Sequence, residues 1–306
     1  VTPVAWPAFA PWAETKRSLH AYAQMLGKLR LALSPYQPNF LFTGLVLTPR
    51  GFGTGTIPYG LRSLDASLEV ADAALVLQTS DGGTRRISLA PPCTVARVFA
   101  ELHAALAELG VAVSLSPIPQ EVADVTPFDR DERPAAFDTA AALRWHAVVT
   151  ATHAVFDRWR DHFAGRLGIQ LWWGAFDYSI MLFNGKQVVP PTTRGYLLRY
   201  DLDAELINVG LYLGDDTNPP VYYGYIYPQP DACPKLPIAP AGATWSDALG
   251  EWILPYETVR TSPDPERTLC AFLDAIYHLT ADAAGWNHAN LTYSPPPLRR
   301  ARPTLP

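Results

Sequence analysis

Charge is scarce in this 306-residue chain: 17% of its residues are Asp, Glu, Lys or Arg, and 24 basic residues nearly cancel 29 acidic ones, for a formal charge of -5. So low a charged fraction, beside 48% hydrophobic residues, excludes a disordered or highly charged chain and leaves room for one large domain or two intimate ones. The balance supplies no general basic footprint for nucleic acid. Three cysteines, Cys93, Cys233 and Cys270, are too few and too far apart for a disulfide framework or a short metal-binding spacing, so reduced structural thiols are expected. No apolar run reaches the roughly 18 residues that a bilayer span needs. The opening VTPVAWPAFAPWAETKRS has neither a basic and apolar leader pattern nor an Arg-rich amphipathic one, so a soluble cytoplasmic protein is expected. Cofactor motifs are missing too. GFGTGT at 51–56 has neither dinucleotide nor P-loop spacing and reads as a turn, no H-E-x-x-H or G-x-S-x-G is present, and the seven histidines form no compact cluster. No metal site is expected, and the cofactor, if any, stays unknown.

What the chain does have is 30 prolines and nine tryptophans, which punctuate and fill a dense pattern of elements. Leu19, Tyr22, Ala23, Leu26 and Leu29 recur at helical intervals, predicting an amphipathic helix over about 14–32. NFLFTGLVLTP, LDASLEV and ALVLQTSDGGTRRISLAP read as strands, the last as a pair joined by an Asp-Gly-Gly hairpin turn. A helix follows, opened by Thr94 and stopped by Gly110. After the proline-rich and acidic 117–137, the order repeats. A helix starts near Asp138, LGIQLWWGAFDYSIMLFNGK reads as one long strand ending in an Asn-Gly turn, further strands lie in LLRYDLDAELINVGLYLG, VYYGYIYPQP and GEWILPY, and a last helix enters through Asp264 and Pro265 and leaves at Gly285. The fold expected is α+β: residues 1–116 and 138–293 as two halves of similar order, each an antiparallel sheet flanked by helices, joined by 117–137 and followed by a Pro/Arg-rich tail, 294–306. An internal duplication accounts for that order; convergence on common punctuation accounts for it as well.

Three stretches carry residues suited to chemistry. Lys28 and Arg30 leave the first helix, and Thr48 and Arg50 end a strand, so these donors can hold a small anionic or strongly polar ligand. The plainer account is that the two cations complement the helix C-terminus and Arg50 is solvated. His20, about two turns before Lys28, is a structural histidine or an acid/base group. In WWGAFDYSIMLF, period two sets Trp173, Ala175, Asp177 and Ser179 on one face, so Asp177 sits among hydrophobic neighbours as a paired core carboxylate or an acid of raised pKa. Glu205, with Asn208 nearby, is a second strand carboxylate that can pair with Asp177 in acid/base work. In VYYGYIYPQP, Tyr223, Tyr225 and Tyr227 share a face that suits either stacking on a ligand or ordinary cross-strand packing. Glu251 and Glu257 flank WILPY and can reach the same cleft, although Glu257 can equally pair with Arg260.

The ordered series WPAF, LHAYAQMLGKLRLAL, TPRGFGTGTIPYG, GAFDYSIMLFNG, AELINVG, YYGYIYPQP, WILPYE and SPDPERTLCAFLDAIY resembles a bacterial family catalogued only as a domain of unknown function, over nearly the whole chain. In many relatives of that family the segment matching DAELINVG carries a histidine directly before the glutamate, where this chain has Ala204 before Glu205; if that histidine serves metal binding or proton transfer there, this chain has lost or altered the role. The resemblance implies no reaction.

Binding of a small polar or anionic metabolite in a cleft between the halves is therefore expected, with enzymatic conversion left open. Catalysis would assign Asp177 or Glu205 and His20 to proton transfer, and Lys28 with Arg30 to anion stabilisation. The alternatives are a noncatalytic small-molecule sensor or carrier, or a structural interaction module that presents Trp172, Trp173 and the tyrosines on its surface. Oligomerisation is compatible with either.

Overall fold

The computed structural model describes residues 6–8, 12–190, 200–215 and 218–294. The chain enters through α1 (Ala13–Leu33), whose apolar stripe Leu19, Tyr22, Ala23, Leu26 and Leu29 is fully buried. The first sheet follows as β1 (Val46–Thr48), β2 (Gly51–Gly53), β3 (Ile57–Tyr59), β4 (Arg62–Glu69), β5 (Ala74–Thr79) and β6 (Thr84–Ser88). Its order is β1-β2-β4-β5-β6, with β3 paired to the start of β4, and all pairings are antiparallel. Alternation along β4 turns Leu64, Ala66 and Leu68 inward, each worth on the order of 1–3 kcal/mol when removed from water. α2 (Val95–Glu108) closes this half, and the Thr94 hydroxyl caps it by accepting from the Arg97 amide at 3.1 Å.

An irregular crossing over 109–138 leads to α3 (Thr139–Trp159), capped by the Asp138 carboxylate on the amides of Ala140 and Ala141. Losing such a cap costs about 1 kcal/mol. The second sheet comprises β7 (Arg166–Trp172), β8 (Asp177–Gln187), β9 (Ala204–Tyr212), β10 (Val221–Tyr227), β11 (Thr244–Ser246) and β12 (Glu251–Pro255), in the antiparallel order β11-β12-β10-β9-β8-β7. The chain then forms α4 (Tyr256–Arg260), α5 (Pro265–Ala283), entered through the Asp264 cap, and α6 (His288–Leu291). The fold is thus α+β with two antiparallel sheets of six strands among the described residues. Leu45 and Leu171 exchange backbone hydrogen bonds of 2.9 and 2.8 Å and link the sheets. No helix among the described residues is long and apolar enough to cross a membrane.

The second sheet has two unlike faces. One carries Tyr178, Ile180 and Leu182 of β8, Ile207, Val209 and Leu211 of β9, and Tyr222 and Ile226 of β10, all in the main core. α3 reaches this face through Thr152, whose hydroxyl lies 2.8 Å from that of Tyr222, and α5 packs Ile276 against Gly224. The opposite face carries Asp177, Met181, Asn208, Tyr223 and Tyr225.

Four local expectations change. Residues 38–43 form a tight turn instead of a strand, because Asn39 and Phe40 take positive φ and the Asn39 side chain is tied to Asp203 and Arg166. Gly51–Gly53 is a strand between β1 and β4 instead of a turn. Asn184 and Gly185 do not end their strand; β8 runs on to Gln187 across a register shift. The expected long strand over LGIQLWWGAFDYSIMLFNGK is two, β7 and β8, separated by a turn at 173–176 that closes with the Phe176 amide on the Trp172 carbonyl at 2.8 Å. Trp172 and Asp177 are consequently cross-strand partners on one face, which a period of two run through the turn had set apart.

Candidate functional site

The turn between β7 and β8 is held from outside its own sheet. His20 of α1 lies 2.9 Å from the Trp173 carbonyl and 2.8 Å from that of Gly174, through Nε2 in both cases. Both carbonyls only accept, so a proton on Nε2 serves them, while the Gln24 amide nitrogen, 3.1 Å from the same atom, is used by the Gln120 carbonyl. The imidazole also stacks on Phe176, with centroids 4.8 Å apart, and burial lowers its pKa to about 4, leaving it neutral. One turn further along α1, Gln24 makes a two-way bond with Gln120, donating to its carbonyl and accepting from its amide at 2.8 Å each. A turn beyond that, buried Lys28 donates to the Ile118 carbonyl at 2.6 Å, with the rings of Phe128 and Trp173 each 5.8 Å away. This i, i+4, i+8 stripe fixes both the turn before Asp177 and the crossing segment that delivers Glu121. Gly174 makes that delivery sterically feasible, since a Cβ there would stand 2.2 Å from the Glu121 carboxylate.

On the open face of the second sheet lies a cavity of about 700 Å³. Its lining includes Trp172 of β7, Asp177 and Met181 of β8, Asn208 and Tyr212 of β9, Tyr223 and Tyr225 of β10, and Glu251 and Ile253 of β12. Glu121, Ala175, Asp201, Asn218, Pro219 and Leu249 also line it. The register explains the convergence: Asp177 pairs with Tyr212, Asn208 with Tyr225, and Gly210 with Tyr223. Gly210 leaves the space that the Tyr223 ring fills, for a Cβ at that position would lie 2.3 Å from the ring. So seated, the Tyr223 hydroxyl donates to the Asp177 carboxylate. Asn208 Nδ2 lies 3.4 Å from that hydroxyl and 3.2 Å from the hydroxyl of Tyr225, whose ring stacks on Tyr223. Asn208 Oδ1 is buried and has no hydrogen-bond partner.

Burial raises the Asp177 pKa to about 6; the Tyr223 hydrogen bond opposes the rise and the charge of Glu121 adds to it. Burial, then the Asp177 charge, lifts Glu251 to about 7. Burial raises Glu121 as well, and the Tyr223 phenol stands well above its ordinary value. The site thus presents carboxyl groups that exchange protons near neutrality, aromatic faces and an unused acceptor. No group of three or more His, Cys, Asp or Glu among the described residues could hold a metal ion.

Of the residues singled out from the sequence, Trp172, Asp177, Asn208, Tyr223, Tyr225 and Glu251 line this cavity together. The others do not. His20 and Lys28 bond backbone carbonyls behind the turn, and Arg30 donates to the carbonyls of Phe42, at 2.6 Å, and Thr54. Trp173 is buried with its Nε1 on the Thr43 carbonyl at 3.1 Å. Thr48 accepts from the Arg50 amide, and Arg50 is an exposed partner of Glu69 and Asp72. Glu205 meets Asn184 and Lys186, Tyr227 packs in a small cluster with Met181, Phe183 and Leu206, and Glu257 pairs with Arg260 on α4. Sequence reasoning gave no role to Glu121, Tyr212 or Asp201. Beside Asp177 and the tyrosine face, the polar Asn208 inside the apolar INVGLYLG was a signal of the network, because a buried amide must find partners. All described lining residues except Glu121 come from the second half, so among the described residues the cavity sits on one sheet, with the crossing segment as its neighbour.

These features define an α+β protein with a carboxylate- and tyrosine-lined pocket on the open face of its second sheet. The chain belongs to DUF5996, a family of unknown function whose model matches residues 6–293. No curated protein and no solved structure matches it.

Proposed function

We propose that this chain binds a small polar metabolite in the cavity of the second sheet, with Asp177 and Glu251 placed to exchange protons with it. The observation that carries this is the Asp177–Tyr223–Asn208 network: a buried carboxyl of raised pKa, bonded by a tyrosine and joined to a buried amide, in side chains that line a cavity large enough for a metabolite. Structural ion pairing does not account for Asp177, because its side-chain partner is a tyrosine and not a cation. An anionic ligand is less well served, since the described lining has carboxylates and no Lys, Arg or His. The sensor or carrier reading uses the same cavity without proton transfer and is favoured if bound ligand is recovered unchanged. The three free thiols support a cytoplasmic setting, and the shared helix, sheet, helix order supports a duplication.

Ligand-detected NMR against a mixed set of neutral, cationic and anionic metabolites tests this proposal. Ala175→Trp, at an exposed lining position, is the control. Saturation transfer in the wild type that disappears in A175W is expected. Equal transfer in both proteins would remove the cavity as the site.

A further inference from the structure

Among the described lining residues, Glu121, Asp177, Asp201 and Glu251 bring four carboxyl groups to one cavity, and no lysine, arginine or histidine lines it. Two lysines among the described residues near the cavity are engaged elsewhere. Lys16 lies over the Tyr212 ring, 4.9 Å from its centroid, and donates to the Gly214 carbonyl, while Lys28 is bonded to Ile118 behind the turn. A buried carboxylate without an opposite charge is costly, and the raised proton affinities of Asp177 and Glu251 express that cost. Protons relieve it when no ligand is bound. A bound cation would relieve it better by supplying the charge partner that no described lining residue provides.

The second observation is independent of charge. Asn208 is 5% exposed, and its Oδ1 has no partner, although its Nδ2 serves two tyrosine hydroxyls. A buried acceptor left unmade costs about 1–3 kcal/mol, so the hydrogen bonding of this cavity-lining side chain is incomplete within the described protein. The Tyr223 hydroxyl cannot complete it, being committed to Asp177. The third is the aromatic wall: Trp172, Tyr212, Tyr223 and Tyr225 line the cavity, and the Trp172 Nε1 is already bonded to Ser179 at 3.0 Å. Ring faces attract a positive charge through their quadrupole. A neutral polyol would leave the carboxylates of Asp177, Glu251 and Glu121 without a cation among the described lining residues, and a carboxylate ligand would be repelled.

We propose that the ligand carries a protonated nitrogen, an alkylammonium or guanidinium group, bound between Asp177, Glu251 and Glu121 with its carbon chain against Trp172 and Tyr225. This deepens the functional proposal above and rests on the cavity being a ligand site. Around the bound cation stand Glu121 from the crossing segment, Asp177 from β8, Asp201, Tyr212 with its partner Asp215, Tyr223 and Tyr225, Glu251 from β12, and Lys16 beyond Tyr212. Binding therefore releases protons from the carboxyl groups and weakens as pH falls.

Isothermal titration of the full chain with three five-carbon probes of equal length, 1,5-diaminopentane, 1,5-pentanediol and glutarate, together with agmatine, tests this. At pH 7.5 the diamine or agmatine is expected to bind at least tenfold more tightly than the diol, with no glutarate binding. The apparent enthalpy should differ between phosphate and Tris in the sense of proton release. Affinity should fall at least tenfold between pH 7.5 and 5.5, and Glu251→Gln should weaken diamine binding at least tenfold while the diol is unaffected. Diol or glutarate binding as tight as the diamine, lost in A175W, overturns the cationic ligand and leaves the cavity as a ligand site. Cation binding that survives A175W, or that takes up protons, overturns the placement. Failure of all four probes overturns the cationic proposal, while binding of other metabolites in the NMR screen would still uphold the cavity.

Discussion

Replacing Asp177 by asparagine removes one buried charge while keeping an oxygen that can accept from the Tyr223 hydroxyl, so it isolates the electrostatic cost of this carboxylate. In the folded chain the pKa is raised from 3.8 to about 6, mainly by burial. The sign follows directly. Between these values the unfolded chain has released a proton that the folded chain retains, so the contribution of Asp177 is fully present below pH 3.8 and is lost as pH rises through 6. At about 1.4 kcal/mol per pH unit, the loss levels off near 3 kcal/mol above pH 7. Asp177→Asn should therefore match the wild type near pH 4 and exceed its stability by roughly 2–3 kcal/mol at pH 8. The wild-type profile alone does not show this, because His20 acts in the opposite sense. With its pKa lowered from 6.5 to about 4, its contribution is present above 6.5 and lost as pH falls toward 4. Subtracting the two profiles removes His20. Glu251, relieved of the Asp177 charge, should also titrate lower and steepen the difference between pH 5 and 7. Urea unfolding of both proteins across pH 4–8.5 at fixed ionic strength measures it. A difference that does not vary with pH, or an asparagine variant less stable than wild type at pH 8, would refute the account of Asp177 as an uncompensated buried acid.

Three further outcomes test the supports of the site. Gly210→Ala would place a Cβ 2.3 Å from the Tyr223 ring; displacing the ring should cost about 1–3 kcal/mol in urea unfolding and deprive Asp177 of its donor. A loss below about 0.5 kcal/mol would contradict the close packing there. Gly174→Ala meets only the flexible end of Glu121, so stability should change by less than about 1 kcal/mol while diamine affinity drops severalfold as the carboxylate swings aside. An unchanged affinity would remove Glu121 from the binding group. His20→Ala strips the donor from the Trp173 and Gly174 carbonyls and should destabilise by about 2–3 kcal/mol at pH 8. It should also flatten the loss of stability between pH 6.5 and 4, and a retained acid limb would assign that limb to another group.

The helices were readable because their signals are local. Thr94, Asp138 and Asp264 cap amides two or three residues ahead, and the stripes of α1, α2 and α5 repeat within a few turns. The tyrosine face of β10 and the strained position of Asp177 were visible in the same way, from period two and from a charge among apolar neighbours. The turn at 173–176 was not, since WWGAF holds no Asn-Gly or Pro signal, and what stabilises it is His20, 153 residues away from Trp173. Arg30 and Lys28 looked like ligand donors because a cation in an apolar segment suits either role. Which carbonyl would claim them depended on where 42, 54 and 118 came to lie.

By itself, the sequence determined the α+β class, the helices with their caps, and the face on which Asp177, Tyr223 and Tyr225 could meet, all of which follow from interactions within a few residues. Tertiary structure alone decided that Glu121 joins them, that Glu251 and not Glu257 reaches the same cavity, that Asn208 keeps an unused oxygen, and that no described cation enters the lining. Those outcomes depend on register between β8, β9, β10 and β12 and on the grip of α1 on two distant segments. The free energy of a buried charge is set by what surrounds it in space, which local sequence does not specify.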